Sequence, residues 1–176
     1  KQLQLGTIAK ATVIDIGGFT ADYLSLRYGA ADWASCDSLE NGVITLYNRL
    51  LSKIRADHDL LLEETDIDSI LTGCSTEYGS EIQTLVERGA ESFVADLFRT
   101  LRERKIELRT GKVIFVGGGS LLLRKQIEKS GKVGTAIFVE EIGPGYARAV
   151  KDITAEDANP VGVAHGGCYF SLADTA

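Results

Sequence analysis

Apolar residues first recur along this chain with a period of two, and three- and four-residue spacings take over afterwards. Ala11 to Ile16 is a short apolar run, and residues 20–28 alternate Tyr23, Ser25 and Arg27 against Leu24 and Leu26, so both read as strands joined by a tight Gly17-Gly18 hairpin. A third strand is expected over 33–38. Three consecutive antiparallel strands before any helix are not the βαβ opening of a dinucleotide-binding fold. Asn41 and Gly42 then introduce a helix, with Val43, Ile44, Tyr47, Leu50, Leu51 and Ile54 on one face. Residues 57–68 are acidic and irregular, and 69–72 reads as a short strand closed by Gly73. A long helix is expected over 80–104, with Ile82, Leu85, Val86, Phe93, Leu97 and Leu101 as its stripe. A strand over 112–116, a glycine turn, a helix over 120–129 and a strand over 135–139 follow. The Gly143-Pro144-Gly145 turn is expected to start a helix at Tyr146, and 157–173 reads as helical.

Composition narrows this picture. A chain of 176 residues with 44% hydrophobic and 25% charged side chains is the size of one globular domain, so 1–176 reads as a single unit. Asp and Glu number 25 against 19 Lys and Arg, for a net charge of -6. That argues against a broad nucleic-acid face, which needs clustered cations to displace counterions, so any link to DNA would be indirect. The cluster Arg99, Arg102, Arg104 and Lys105 reads as a solvated helix end that complements the dipole. Cys36, Cys74 and Cys168 are odd in number and lack CxxC spacing, which indicates neither a disulfide framework nor a zinc site. His58 and His165 read as solvated or structural. No apolar stretch reaches membrane-spanning length and the Lys1 end lacks a signal-peptide core, so a cytoplasmic protein with no membrane partner is expected. The lack of methionine points to a piece of a longer polypeptide.

The candidate chemistry lies in two glycine turns. Gly17-Gly18 and Gly117-Gly118-Gly119 stand where strands end, so backbone N–H groups there can approach phosphate oxygens with no Cβ in the way. The second turn also opens into a helix pattern, and helix N-termini favour anions. Asp15, at the carboxyl end of its strand, is placed to hold a hydrated Mg2+, which keeps several waters and uses few protein carboxylates. Thr20 offers a hydroxyl to a phosphate oxygen, and Asp22 points to the same face of its strand. Ser120 reads as an N-cap that can also meet a ligand. The plainer alternative stays open: Gly-Gly is a common hairpin corner, Asp favours turns, and a serine after a glycine turn can do no more than cap.

Asp15-Ile16-Gly17-Gly18-Phe19-Thr20-Ala21-Asp22 resembles the DxGGxTxD phosphate loop of the actin, sugar-kinase and heat-shock chaperone ATPases. Val113 to Leu122, with Gly117-Gly118-Gly119-Ser120, is similar to their adenosine loop, and within the group the bacterial actin-like proteins of the plasmid-partition type fit best. The resemblance implies an α/β, ribonuclease-H-like fold: a mixed five-stranded sheet with three antiparallel strands first and helices on both faces. It further implies ATP or ADP with Mg2+ as cofactors. Asp15 would orient the metal through water, and Gly17, Gly18 and Thr20 would contact the β- and γ-phosphates, with Asp22 beside them. Gly117, Gly118, Gly119, Ser120 and Leu121 would line the adenosine pocket. The helix 41–54 falls where the family makes further ribose and adenine contacts. In the family the nucleotide sits between two such domains, and this chain has one DxGG loop. It is therefore expected to be the second half of a two-domain protein, with no catalytic residue of its own and little activity alone.

Three functions follow from the resemblance. The first is an ATPase that forms ATP-dependent filaments by self-association and positions a plasmid through an adaptor. The second is a sugar or carboxylate kinase of the same fold. The third is a non-hydrolysing scaffold, against which the Asp15 and Thr20 side chains speak.

Overall fold

The computed structural model describes residues 8–143 and 146–150. A meander of β1 (Ala11–Ile16), β2 (Ala21–Arg27) and β3 (Ala30–Leu39) opens the chain. It is followed by α1 (Val43–His58), α2 (Glu64–Thr72), α3 (Ser80–Glu103), β4 (Lys112–Val116), α4 (Gly118–Leu122), α5 (Arg124–Lys129), β5 (Thr135–Gly143) and β6 (Tyr146–Val150). One sheet in the order β3-β2-β1-β4-β5-β6 results. The meander and the β5/β6 pair are antiparallel, whereas β1/β4 and β4/β5 are parallel. The five strands expected from the sequence thus take the ribonuclease-H-like arrangement, and a sixth extends it.

Register decides which side chains meet the helices. Ile14 lies opposite Tyr23 and Phe115, and Phe115 opposite Phe138, so these four share a face. They enter one buried cluster with Leu46, Leu50 and Ile54 of α1, Ile67 of α2 and the Ile82-to-Leu101 stripe of α3. The Phe115 and Phe138 rings stack 5.1 Å apart, an arrangement contributing about 0.5–1.5 kcal/mol beyond its buried area. Ala11, Ile114 and Ile137 point to the opposite face and are buried as well.

Several expectations need correction. Residues 69–72 are not a strand but the last turn of α2. The Glu63 and Asp66 side chains form a reciprocal capping box that starts this helix, and Gly73 at φ 77° stops it. Ile67, Ile70 and Leu71 then face the core at helical spacing. Tyr146 starts a strand and not a helix: 146–150 pairs antiparallel with β5, whose backbone groups it satisfies. The helix expected over 120–129 is two short helices meeting at the fully buried Leu123. The third strand runs from Ala30 to Leu39 with a register shift opposite Leu24/Ser25. His165, Cys168 and the helix expected over 157–173 lie outside the described residues.

Candidate functional site

The β1–β2 hairpin is held in shape from two directions. Gly17 N–H donates to Thr20 O across the turn at 2.9 Å. At the N-terminus of α1, Gly42, Val43 and Ile44 donate their N–H groups to the carbonyls of Phe19, Gly17 and Gly18 at 3.0–3.1 Å. The orphan donors of the helix and the hairpin carbonyls therefore satisfy one another. Contact is close enough that a Cβ on Gly42 would strike Gly18 O and the Phe19 carbonyl carbon. With its carbonyls turned to α1, the hairpin leaves the N–H groups of Gly18 and Phe19 with no protein acceptor among the described residues. Free N–H groups at a tight turn are a ready anion cradle.

The second glycine corner sits beside the first because β1 and β4 are parallel neighbours that end together, with Asp15 opposite Val116. Gly117 has φ 85°, and a side chain there would also collide with the Asp15 carboxylate. Two constraints thus demand glycine at this position. Gly119 is packed against Ile16 and Val43, whereas a Cβ on Gly118 would meet nothing within 4 Å. Gly118 is the open member of the turn.

A cleft of about 520 Å³ joins the two corners. Gly17 and Gly18 line one side, Gly118, Gly119, Leu121 and Leu122 another. Val43 and Tyr47 from α1 and Asp68 and Thr72 from α2 complete it. Tyr47 donates its hydroxyl to Asp68 Oδ1 at 2.6 Å. Burial first, then this hydrogen bond and the charges of Asp68 and Glu64, push the Tyr47 phenol well above its ordinary value. Tyr47 therefore stays a neutral donor, fixing one oxygen of Asp68. The Thr72 hydroxyl is spent on the carbonyl of Asp68 within α2.

Not every side chain expected at the site faces the cleft. Ser120 is fully buried and its hydroxyl donates to Val116 O at 2.5 Å, while the N-cap position belongs to Gly117. Thr20 donates its hydroxyl to Asp22 Oδ2 at 3.0 Å. Asp22 stands directly across the strand pair from Asp15, and both are exposed. Like charges placed so are destabilising unless a cation stands between them. Hard carboxylate oxygens of this kind could hold Mg2+, which needs one or two of them. Among the described residues no three His, Cys, Asp or Glu side chains gather to hold a metal. Tyr47, Asp68 and Thr72 were missed by sequence reasoning. Val43 and Tyr47 follow one another by four residues on the apolar stripe of α1, and Asp68 and Thr72 do so on α2, a signal hidden while 69–72 was read as a strand.

Solved structures of like fold include the archaeal actin homologue Ta0583, with a TM-score of 0.57 at 20% identity over 77% of this chain and 44% of that one. The Alp12 filament structure gives 0.57 at 22% identity, over 80% and 44%. ParM of Bacillus thuringiensis with ATP gives 0.52 at 16% identity, over 74% and 41%. Such identities speak to fold alone, and the chain spans less than half the length of each of the three. No curated protein sequence matches it. The model for archaeal actin homologues, MreB-like, C-terminal, matches residues 13–129, a stretch that holds both glycine corners and every helix described. By that match the chain belongs to the MreB-like family of archaeal actin homologues, and so to the actin-like ATPase superfamily.

Proposed function

We propose that this chain is the second half of a two-domain actin-like ATPase that binds ATP or ADP with Mg2+ and assembles into ATP-dependent filaments, with plasmid or other DNA segregation through an adaptor as the cellular use. The observation that carries this is the convergence of two glycine corners on one cleft, with free N–H groups at Gly18 and Phe19 and the Asp15 carboxylate against Gly117. The hairpin N–H groups would hold the terminal phosphates, and Gly118 and Gly119 would lie along the rest of the chain to the nucleoside. Asp15, with Asp22 opposite, would hold the hydrated metal. Mg2+ supplies charge neutralisation on the phosphates. Asp68, oriented by Tyr47, has a second oxygen to accept from a ribose hydroxyl or a base amine, and Leu121 and Leu122 give an apolar wall. Water activation belongs to the other half of the protein.

Light scattering of the full-length protein with ATP, with ADP and with neither tests the assembly step. A reversible increase with ATP alone is expected, and no increase would remove it. Asp15→Ala should abolish Mg-ATP hydrolysis and leave the fold intact, because an exposed carboxylate contributes little to the core. Unchanged turnover in that variant would take Asp15 out of the site. Faster ADP release on addition of sugars or small acids would favour a kinase instead.

A further inference from the structure

Phe19 stands at the tip of the β1–β2 hairpin with 78% of its surface exposed, and it has no part in the buried cluster that joins sheet to helices. The other exposed side chains of the hairpin, Asp15 and Asp22, are charged. Its backbone is pinned, so the ring cannot be drawn inward: the Phe19 carbonyl accepts from Gly42 N–H at 3.1 Å, and Val43 and Ile44 hold Gly17 and Gly18 in the same way. The ring therefore contributes little to the fold of this chain. A ring of this size gains free energy on leaving water, and the place of its own N–H says what can cover it.

That N–H is one of the two free donors of the phosphate cradle. A phosphate oxygen held there stands about 2.9 Å from the nitrogen. The first ring carbon is three bonds from the same nitrogen and stays within about 4 Å of it in every rotamer. Ring and terminal phosphate are thus neighbours whatever the torsion. Attack on that phosphate needs a water about 3–3.5 Å away, oriented by a group from the other half of the protein. Packed elements approach to about 8–10 Å, so a body that reaches the water also reaches the ring. We propose that Phe19 is the contact on which the other half of the polypeptide closes when a triphosphate is held, burying the ring and shutting water out of the cleft. Without that water, the attraction between the Asp15 carboxylate, a hydrated metal and the phosphates is stronger. Phe19 is then a positioning residue, acting through the half it seats. It has this role only if the chain is one half of a two-domain nucleotide-binding protein, the reading proposed for the two glycine corners.

The test is hydroxyl-radical footprinting of the full-length protein, read by mass spectrometry at a concentration below the rise in light scattering. The probes are ADP and a non-hydrolysable ATP analogue, each with Mg2+, and a separate fluorescence titration establishes that both bind. Oxidation of Phe19 should fall severalfold with the triphosphate and stay high with ADP or with neither. Tyr28, 68% exposed just past the opposite end of β2, should keep its rate throughout. Phe19→Ser should lower kcat roughly tenfold or more, the scale of losing one buried aromatic side chain, with ADP affinity and melting temperature unchanged. Phe19→Leu keeps an apolar group and should restore most of the turnover, and Tyr28→Ser should not alter it. Wild-type turnover in Phe19→Ser would overturn the proposal, as would equal Phe19 oxidation in all three states or equal protection by ADP, and each of these leaves the nucleotide site standing. Failure to bind either nucleotide would sink both. Protection that appears only as scattering rises would also overturn it, by assigning the ring to a neighbouring copy.

Discussion

At the scale of single residues, Tyr47 and Asp68 make a polar contact that crosses from α1 to α2 in the lining of the cleft. A hydrogen bond to a charged group contributes about 1.5–3 kcal/mol, so Tyr47→Phe should lower stability at neutral pH. The contact also has a pH signature. The folded phenol titrates above its ordinary value of 10.0, so the unfolded chain loses its proton first. Stability from this group is complete below pH 10 and declines as pH rises through the raised value. Urea unfolding between neutral pH and pH 11 should show a steeper alkaline decline in wild type than in Tyr47→Phe. Equal slopes would mean that Tyr47 titrates normally. The pair escaped sequence reading because nothing local tells a tyrosine on an apolar stripe that a carboxylate stands opposite.

At the scale of elements, the site depends on how closely α1 meets the β1–β2 hairpin. Gly42→Ala places a methyl group against Gly18 and Phe19, backbone atoms that cannot swing aside. An overpacking cost of about 1–3 kcal/mol and loss of nucleotide affinity are expected, read by thermal unfolding and by titration with a fluorescent ATP analogue. Gly118→Val is the counterpart, since its side chain would enter open space. There the melting temperature should hold while nucleotide affinity collapses. If affinity survives Gly118→Val, the turn is a plain connection. Element type was legible wherever periodicity ran long, as in α1 and α3. It failed at α2, whose capping box uses Glu63 and Asp66 in place of the usual serine or threonine start, and at β6, where pairing with β5 overrode a helix-compatible local sequence.

At the scale of the whole molecule, charge is segregated along α3, about 36 Å long for its 24 residues. Tyr78 donates to Asp66 near the start of α3, which places the acidic stretch around Asp57, Asp59, Glu63 and Glu64 at that end, together with the exposed Leu61. At the other end a pocket of about 320 Å³ gathers Arg99, Arg102, Arg109 and Lys132 over Ile106 and Leu108. Opposite charge at opposite ends favours head-to-tail contacts, which build open chains when the rotation does not close. Arg102→Glu with Arg109→Glu should therefore suppress ATP-dependent light scattering while leaving nucleotide affinity intact. Undiminished scattering would exclude this end from the contact. The sequence showed the basic run near the helix end, but only folding added Arg109 and Lys132 to it.

The opening meander, the helices α1 and α3, the strands β4 and β5, the two glycine corners and the carboxylate of Asp15 follow from sequence alone, because hydrophobic period and glycine placement are local properties that survive into the fold. Tertiary structure decided which of those residues meet. Parallel pairing of β1 with β4 brings Asp15 to Gly117, and the α1 N-terminus turns the hairpin carbonyls away from the cleft. Burial spends the Ser120 hydroxyl on Val116, and α2 supplies Asp68 to the cleft floor. Apart from the local Ser120 bond, these are contacts between residues far apart in the chain, and their geometry is set by packing that no local pattern encodes.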